Sequence, residues 1–177
     1  MLVCCVCGRE FERAGSRGRV PKTCGQRCRK RLSRGAGNPL GVDGRWVRAV
    51  GKRPLRVDGS GFASSTDPSS WCSWSEVRRS SVGDGFGVML GGGLGCYDFD
   101  HALVGGVLKP WAEQVLGGIR ERVLFSEVSL SGEGLHVFVE APESAVRRWG
   151  FPDGHVEMFS RQRFIRMTGD RFRLPGM

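Results

Sequence analysis

The stretch RVLFSEVSLSGEGLHVFVE, residues 122–140, alternates apolar and polar side chains, turns through glycines and alternates again. A period of two is the pattern of a half-buried strand, because successive side chains point to opposite faces. Two such runs around a glycine turn make a β-hairpin. This part of the chain is therefore committed to an antiparallel sheet. Its first strand has a polar face, Glu127, Ser129 and Ser131. The chain then turns through Gly132 and Gly134, and His136 begins the return strand. Hydroxyls, glycine amides and an imidazole beside one turn make a phosphate site. A histidine satisfied inside the structure is the plainer alternative.

Neighbouring stretches extend the scheme. GFGVMLGGGLGCYDFDH, residues 85–101, reads as two short strands broken by a glycine turn, and HVEMFSRQRFIRMTG, residues 155–169, as a second hairpin. TDPSSWCSWSEVRRS, residues 66–80, predicts a helix capped by Thr66 or Asp67, with Pro68 in its first turn and Trp71, Trp74 and Val77 toward the core. LKPWAEQVLGGIRER, residues 108–122, predicts another helix, weakened at Gly117 and Gly118. PESAVRRWG, residues 142–150, predicts a short helix opened by Pro142. Helices between hairpins indicate an α+β sandwich with the helices on one sheet face.

Asp98 and Asp100 are two apart in a predicted strand, so they share a face, with Tyr97 and Phe99 on the buried side. Two carboxylates on one face repel unless a proton or a cation lies between them. Hard divalent ions such as Mg²⁺ and Mn²⁺ take this ligand type. A solvated strand edge is the bland alternative. Glu157, between Val156 and Met158, faces opposite to its apolar neighbours, and Arg163 and Arg166 follow in the partner strand. Three acids, a Ser/His phosphate cradle and arginines together describe two-metal phosphoryl or nucleotidyl transfer.

The N-terminal end has a different chemistry. Cys4 and Cys7 are spaced CxxC and Cys24 and Cys28 CxxxC, with sixteen residues between the pairs and Cys5 to spare. Two thiolate pairs fit one tetrahedral Zn²⁺ of the ribbon type. Residues 1–34 are too few to hold a sufficient apolar core, so the metal would supply the folding energy. The same residues carry ten Lys/Arg against two Glu, whereas residues 35–177 carry seventeen against sixteen. The basicity thus belongs to this module, and it implies a polyanionic partner, most simply nucleic acid. Arg27, Arg29, Lys30, Arg31 and Arg34 form the candidate phosphate-binding cluster. GAGNPLGVDG, residues 35–44, reads as a linker to a second domain over residues 45–177. No run of eighteen apolar residues occurs, so no membrane span is expected. MLVCCVCGRE lacks the long apolar core of a signal peptide, and a cytoplasmic protein is expected, with its cysteines as metal ligands or buried thiols.

CYDFDHAL, SLSGEGLH and VEMFSRQRFIRMTG resemble the three motifs of the archaeo-eukaryotic primase superfamily, and most closely its bifunctional primase–polymerase branch, common in phages and plasmids. KRPL with ASSTDPSSWCSW resembles that branch's N-terminal signature. The resemblance covers about residues 45–170. It implies Asp98 and Asp100 as metal ligands, Glu157 completing the triad, and two catalytic Mg²⁺ or Mn²⁺ ions. Ser131 and His136, with Ser129 beside them, would meet the phosphates of the incoming nucleoside triphosphate, with Arg163 and Lys52 near the triphosphate. The implied fold is an RRM-like antiparallel core joined to an αβ unit, preceded here by the small zinc-ribbon-like module. The implied activity is that of a DNA primase–polymerase on a single-stranded DNA template. The chain has no Walker A sequence, so a separate replicative helicase is expected to unwind the duplex. Two other readings stand beside it: a non-catalytic zinc-containing DNA-binding protein, and a carboxylate metal-dependent nuclease.

Overall fold

A computed structural model of the chain describes residues 1–3, 10–12, 21, 23–29 and 38–175. Contacts divide the chain into two compact units, Met1–Gly41 and Val42–Met177. In the first, β1 (Leu2–Val3) pairs antiparallel with β2 (Glu10–Phe11). Residues 26–29 form a helical turn that presents Arg27 and Arg29 to solvent. The Cys24 and Cys28 sulfurs are 3.6 Å apart. Cys4, Cys7, Lys30, Arg31 and Arg34 lie outside the described residues.

The second unit is α+β, with antiparallel sheets and few helices. Its elements are β3 (Trp46–Val50), β4 (Arg53–Leu55), α1 (Trp74–Arg79), β5 (Gly85–Met89), β6 (Leu94–Asp100), β7 (Leu103–Val104), β8 (Val107–Leu108), α2 (Pro110–Gly118), β9 (Val123–Val128), β10 (Leu135–Glu140), β11 (Arg147–Phe151), β12 (Gly154–Phe159) and β13 (Phe164–Met167). One sheet has the order β13-β5-β3-β4 and the other β11-β12-β6-β10-β9. β7 and β8 form a separate small hairpin. Among the described residues no helix is long and apolar enough to cross a membrane.

The alternation in β6, β10 and β12 divides the five-stranded sheet into two chemically different faces. Tyr97, Phe99, Leu135, Val137, Val156 and Met158 are buried on one of them, against Ala112 and Leu116 of α2. Burying each such large side chain contributes about 1.5–3 kcal/mol. The residues between them, Asp98, His136 and Glu157, are left for the other face. Gly91, Gly92 and Gly93 all have positive φ (129°, 61° and 94°). They carry the chain from β5 in one sheet to β6 in the other, through a conformation that side chains rarely adopt.

Three sequence expectations change. Residues 66–80 are not one helix. Asp67 caps a 3-10 turn over Pro68–Ser70; then Cys72 and Trp46 exchange backbone hydrogen bonds of 2.8 and 3.0 Å. Helix α1 starts afresh on a capping box between Ser73 and Glu76. The bonds to Trp46 hold Cys72 extended and interrupt the helix. Residues 142–150 contain no helix: the chain is extended and becomes β11, which pairs with β12 from Arg147↔Met158 to Phe151↔Gly154. The second hairpin also has different partners. β12 pairs with β11 and β6, whereas β13 crosses to the other sheet and pairs with β5. Arg163 and Arg166 therefore do not lie on a strand beside Glu157.

Candidate active site

The registers of the five-stranded sheet place one row of ionisable side chains across all its strands. Arg148 is opposite Glu157, Glu157 opposite Asp98, Asp98 opposite His136 and His136 opposite Glu127. Directly opposed residues share a face. One step along, Asp100 is opposite His155. The three acids singled out in the sequence thus stand together, on the face that α2 does not cover.

A cleft of about 470 Å³ opens over this row. Asp98, Asp100, Glu157, Ser129, Ser131 and His136 line one wall, and Lys52 and Arg163 line it from the four-stranded sheet side. Its size suits a small-molecule ligand such as a nucleotide. Lys52 sits in the turn between β3 and β4, and Arg163 in the segment leading into β13, its guanidinium 4.3 Å over the Phe159 ring. Arg166 also borders the cleft but is committed elsewhere. Its guanidinium donates to the Gly51 and Phe86 carbonyls at 3.0 Å and pairs with Asp84 at 3.3 Å, so it braces the Lys52 turn.

The β9–β10 turn is built to hold hydroxyls close. The Ser129 amide donates to the Gly134 carbonyl at 2.9 Å, and the Ser129 and Ser131 hydroxyls are 3.0 Å apart. A Cβ on Gly134 would fall 2.6 Å from both the Phe99 carbonyl oxygen and the Ser129 hydroxyl. Only glycine lets this turn close onto β6.

The acids face one another and also face cations. Burial holds the Asp98 carboxyl above the ordinary aspartate range; His136 and Arg163 oppose the shift, and the carboxylates of Asp100 and Glu157 add to it. Glu157 is paired with Arg148, and Asp100 with His155 at 3.0 Å. Among the described residues no group of three or more His, Cys, Asp or Glu side chains is already arranged to hold a metal ion. The donor set nevertheless fits a hard divalent cation: it is all oxygen, crowded, and electrostatically strained at Asp98. Holding the ion would require Glu157 and Asp100 to turn from Arg148 and His155, which are 71% and 49% exposed and free to swing into solvent.

Sequence reasoning gave Glu127 no role beyond a polar strand face. In the structure it is fully buried behind His136. Its Oε1 accepts from Thr168 N at 3.2 Å and lies 3.1 Å from His136 Nδ1, and its Oε2 accepts from Gly169 N at 2.8 Å. An acid at strand spacing from Ser129, nine residues before the histidine, was the only available signal.

No protein-family model matches the chain. It is similar to a protein named DNA primase-polymerase from Nitratiruptor phage NrS-1, 33% identical over 131 residues. The match covers 68% of this chain and 18% of the phage protein, so the chain spans under a fifth of that relative's length. The similarity supports a relationship, at family level, to phage primase–polymerases.

Proposed function

We propose that this chain, as a relative of phage DNA primase–polymerases, carries a template-directed nucleotidyl-transfer site in the cleft over Asp98. One observation carries the reading: Glu157, Asp98 and His136 are opposed on three adjacent strands, with Asp100 beside them and Lys52 and Arg163 across the cleft. On this reading the five-stranded sheet with α2 is the RRM-like core, and the four-stranded sheet with α1 is the αβ unit.

Asp98, Asp100 and Glu157 would hold two Mg²⁺ or Mn²⁺ ions. Bound there, such ions lower the pKa of an attacking 3′-hydroxyl and neutralise the charge of the departing pyrophosphate. The other residues bind and orient. His136, Ser129 and Ser131 hold the nucleotide's phosphates from the five-stranded sheet, and Lys52 and Arg163 neutralise them from the opposite side. Arg148, which pairs with Glu157, would be left as a mobile cation at the rim if Glu157 turned to hold an ion.

The first unit would be a template clamp. Cys24 and Cys28, with Cys4 and Cys7, would hold one structural Zn²⁺. Their 3.6 Å sulfur separation is close to the roughly 3.8 Å between two thiolates on a tetrahedral zinc with bonds of about 2.3 Å. Arg27, Arg29, Lys30, Arg31 and Arg34 would meet the phosphates of single-stranded DNA, and a separate helicase would open the duplex.

The test is to incubate the protein with a primed single-stranded template, Mn²⁺ and nucleoside triphosphates. Extension of the primer is expected. Cleavage of the template would instead make the carboxylates those of a nuclease, and DNA binding without either reaction would make the protein a binding module.

A further inference from the structure

Behind His136 lies a carboxylate with no access to solvent. Glu127 is 0% exposed, and two of the donors around it are backbone amides, Thr168 N and Gly169 N, one on each oxygen. Backbone amides only donate, so both carboxylate oxygens act as acceptors. The third contact, His136 Nδ1 at 3.1 Å from Oε1, is placed to donate to the same acceptor. The other ring nitrogen, Nε2, is 3.6 Å from Asp98 Oδ1, beyond hydrogen-bond length, and faces the cleft.

We propose that Glu127 is a positioning residue for the nucleotide: it holds the Nδ1 proton of His136 and so presents Nε2 to a phosphate oxygen in the cleft. The proposal rests on the nucleotidyl-transfer reading for the identity of the ligand, but not for the geometry of the pair. A free imidazole can place its proton on either nitrogen and can rotate by half a turn. Glu127 removes both freedoms, because the flipped ring would turn a carbon toward the carboxylate and the ring with a bare Nδ1 would face an acceptor with an acceptor. The same carboxylate ties the segment after β13, which belongs to the four-stranded sheet, to β9 and β10 of the five-stranded sheet. Glu127 therefore orients the histidine and fastens the two walls of the cleft at its floor.

The first measurement needs no variant in the cleft other than the one that identifies the signal. In protein labelled with ¹⁵N-histidine and free of nucleotide, the resonances of His136 are those lost in His136→Ala. A proton on Nδ1 in slow exchange with water is expected. A bare Nδ1 overturns the proposal. The second measurement is a double-mutant cycle read by titrating a fluorescent nucleoside triphosphate. Glu127→Gln, which keeps the size and loses the charge, should weaken binding roughly ten- to hundredfold, as His136→Ala does. Adding Glu127→Gln to His136→Ala should cost clearly less than Glu127→Gln costs alone, since the part of its effect that runs through the ring is already lost. Additive losses overturn the positioning role and leave Glu127 a structural acid. Should Glu127→Gln fail to fold, the wild-type spectrum decides alone. A wild-type protein with the Nδ1 proton in place but no nucleotide binding overturns the nucleotide reading and not the pair. A bare Nδ1 with nucleotide binding intact overturns the pair and not the reading.

Discussion

Burial, reinforced by Asp100 and Glu157 and opposed by His136 and Arg163, holds the Asp98 carboxyl above its ordinary value of 3.8. A carboxyl whose folded pKa is raised binds its proton more tightly in the native state, so native stability falls as pH rises above the ordinary value. At neutral pH the ionised Asp98 therefore opposes folding. Asp98→Asn should raise the melting temperature at pH 7 while lowering nucleotidyl transfer by about two orders of magnitude or more. Mn²⁺ should raise the melting temperature of the wild type and leave that of Asp98→Asn nearly unchanged; calorimetry with and without Mn²⁺ checks both. Arg148 bears on the same site. The Arg148 side of its pair with Glu157 is mostly exposed, and pairs that solvent reaches are worth about 0–1 kcal/mol. Arg148→Ala should strengthen Mn²⁺ binding by no more than about fivefold, read from the free Mn²⁺ signal in an electron paramagnetic resonance titration. The same sign of pH dependence comes, at higher pH, from two buried thiols. Burial, with Glu76 nearby, pushes Cys72 from 9.0 up to about 11, and burial pushes Cys96 well above 9.0. Stability should decline between about pH 9 and 11, where the unfolded thiol ionises and the folded one does not, and Cys72→Ala should flatten that decline. That Asp98, Asp100 and Glu157 share a sheet face could be read from the sequence because each is the polar position of an apolar alternation. The setting of Glu127 could not: its amide partners lie some forty residues away, and in sequence it looks like one more polar position on a strand.

The β9–β10 turn is the element on which the proposed phosphate contacts depend. Gly134→Ala places a methyl group 2.6 Å from a backbone oxygen, which cannot swing aside as a side chain does. The turn must open, carrying Ser129 and Ser131 away from His136. Nucleotide affinity should fall roughly tenfold or more, while Gly132→Ala, with nothing within 4 Å of its Cβ, should be limited to the backbone strain of its φ of 81°. Titration of a labelled nucleotide against both variants checks the contrast. This hairpin was plain in the sequence because its turn is local and its alternation is long. β11 was not. RRWGF alternates too, but Pro142 ahead of it mimics a helix start, and what makes it a strand is β12, five residues of register supplied by the segment that follows. The crossings between sheets were hidden for a related reason. Alternation reports that a segment is a strand and which face is apolar; it does not report which sheet supplies its partner. Thus β12 and β13 read as a hairpin although Ser160–Arg163 carries the chain from one sheet to the other.

Charge is divided between the two units as sharply as structure is. Residues 1–34 hold ten basic and two acidic side chains, and the second unit is near neutral, with Asp98, Asp100 and Glu157 gathered at one cleft. A site that concentrates carboxylates repels DNA until cations fill it, so affinity for a template has to come from elsewhere in the molecule. If the first unit supplies it, residues 42–177 alone should fold and keep Mn²⁺ and nucleotide binding. That chain retains Val42 and Asp43, whose carbonyl and carboxylate accept from the Trp46 indole at 2.9 Å and the Trp74 amide at 2.8 Å. It should lose most of its affinity for single-stranded DNA and extend a preformed primer only at high concentration. Phosphate contacts release counterions from a single strand with a slope of about −0.7 per contact in log K against log salt. The full chain should therefore show a steep slope and the truncated chain a shallow one. If the module holds the proposed zinc, Cys24→Ser combined with Cys28→Ser should mimic the truncation, because a module this small would need that metal to fold. Unchanged affinity and slope in the truncated chain would rule the clamp out, and the basic module would then be better explained as a contact for a protein partner.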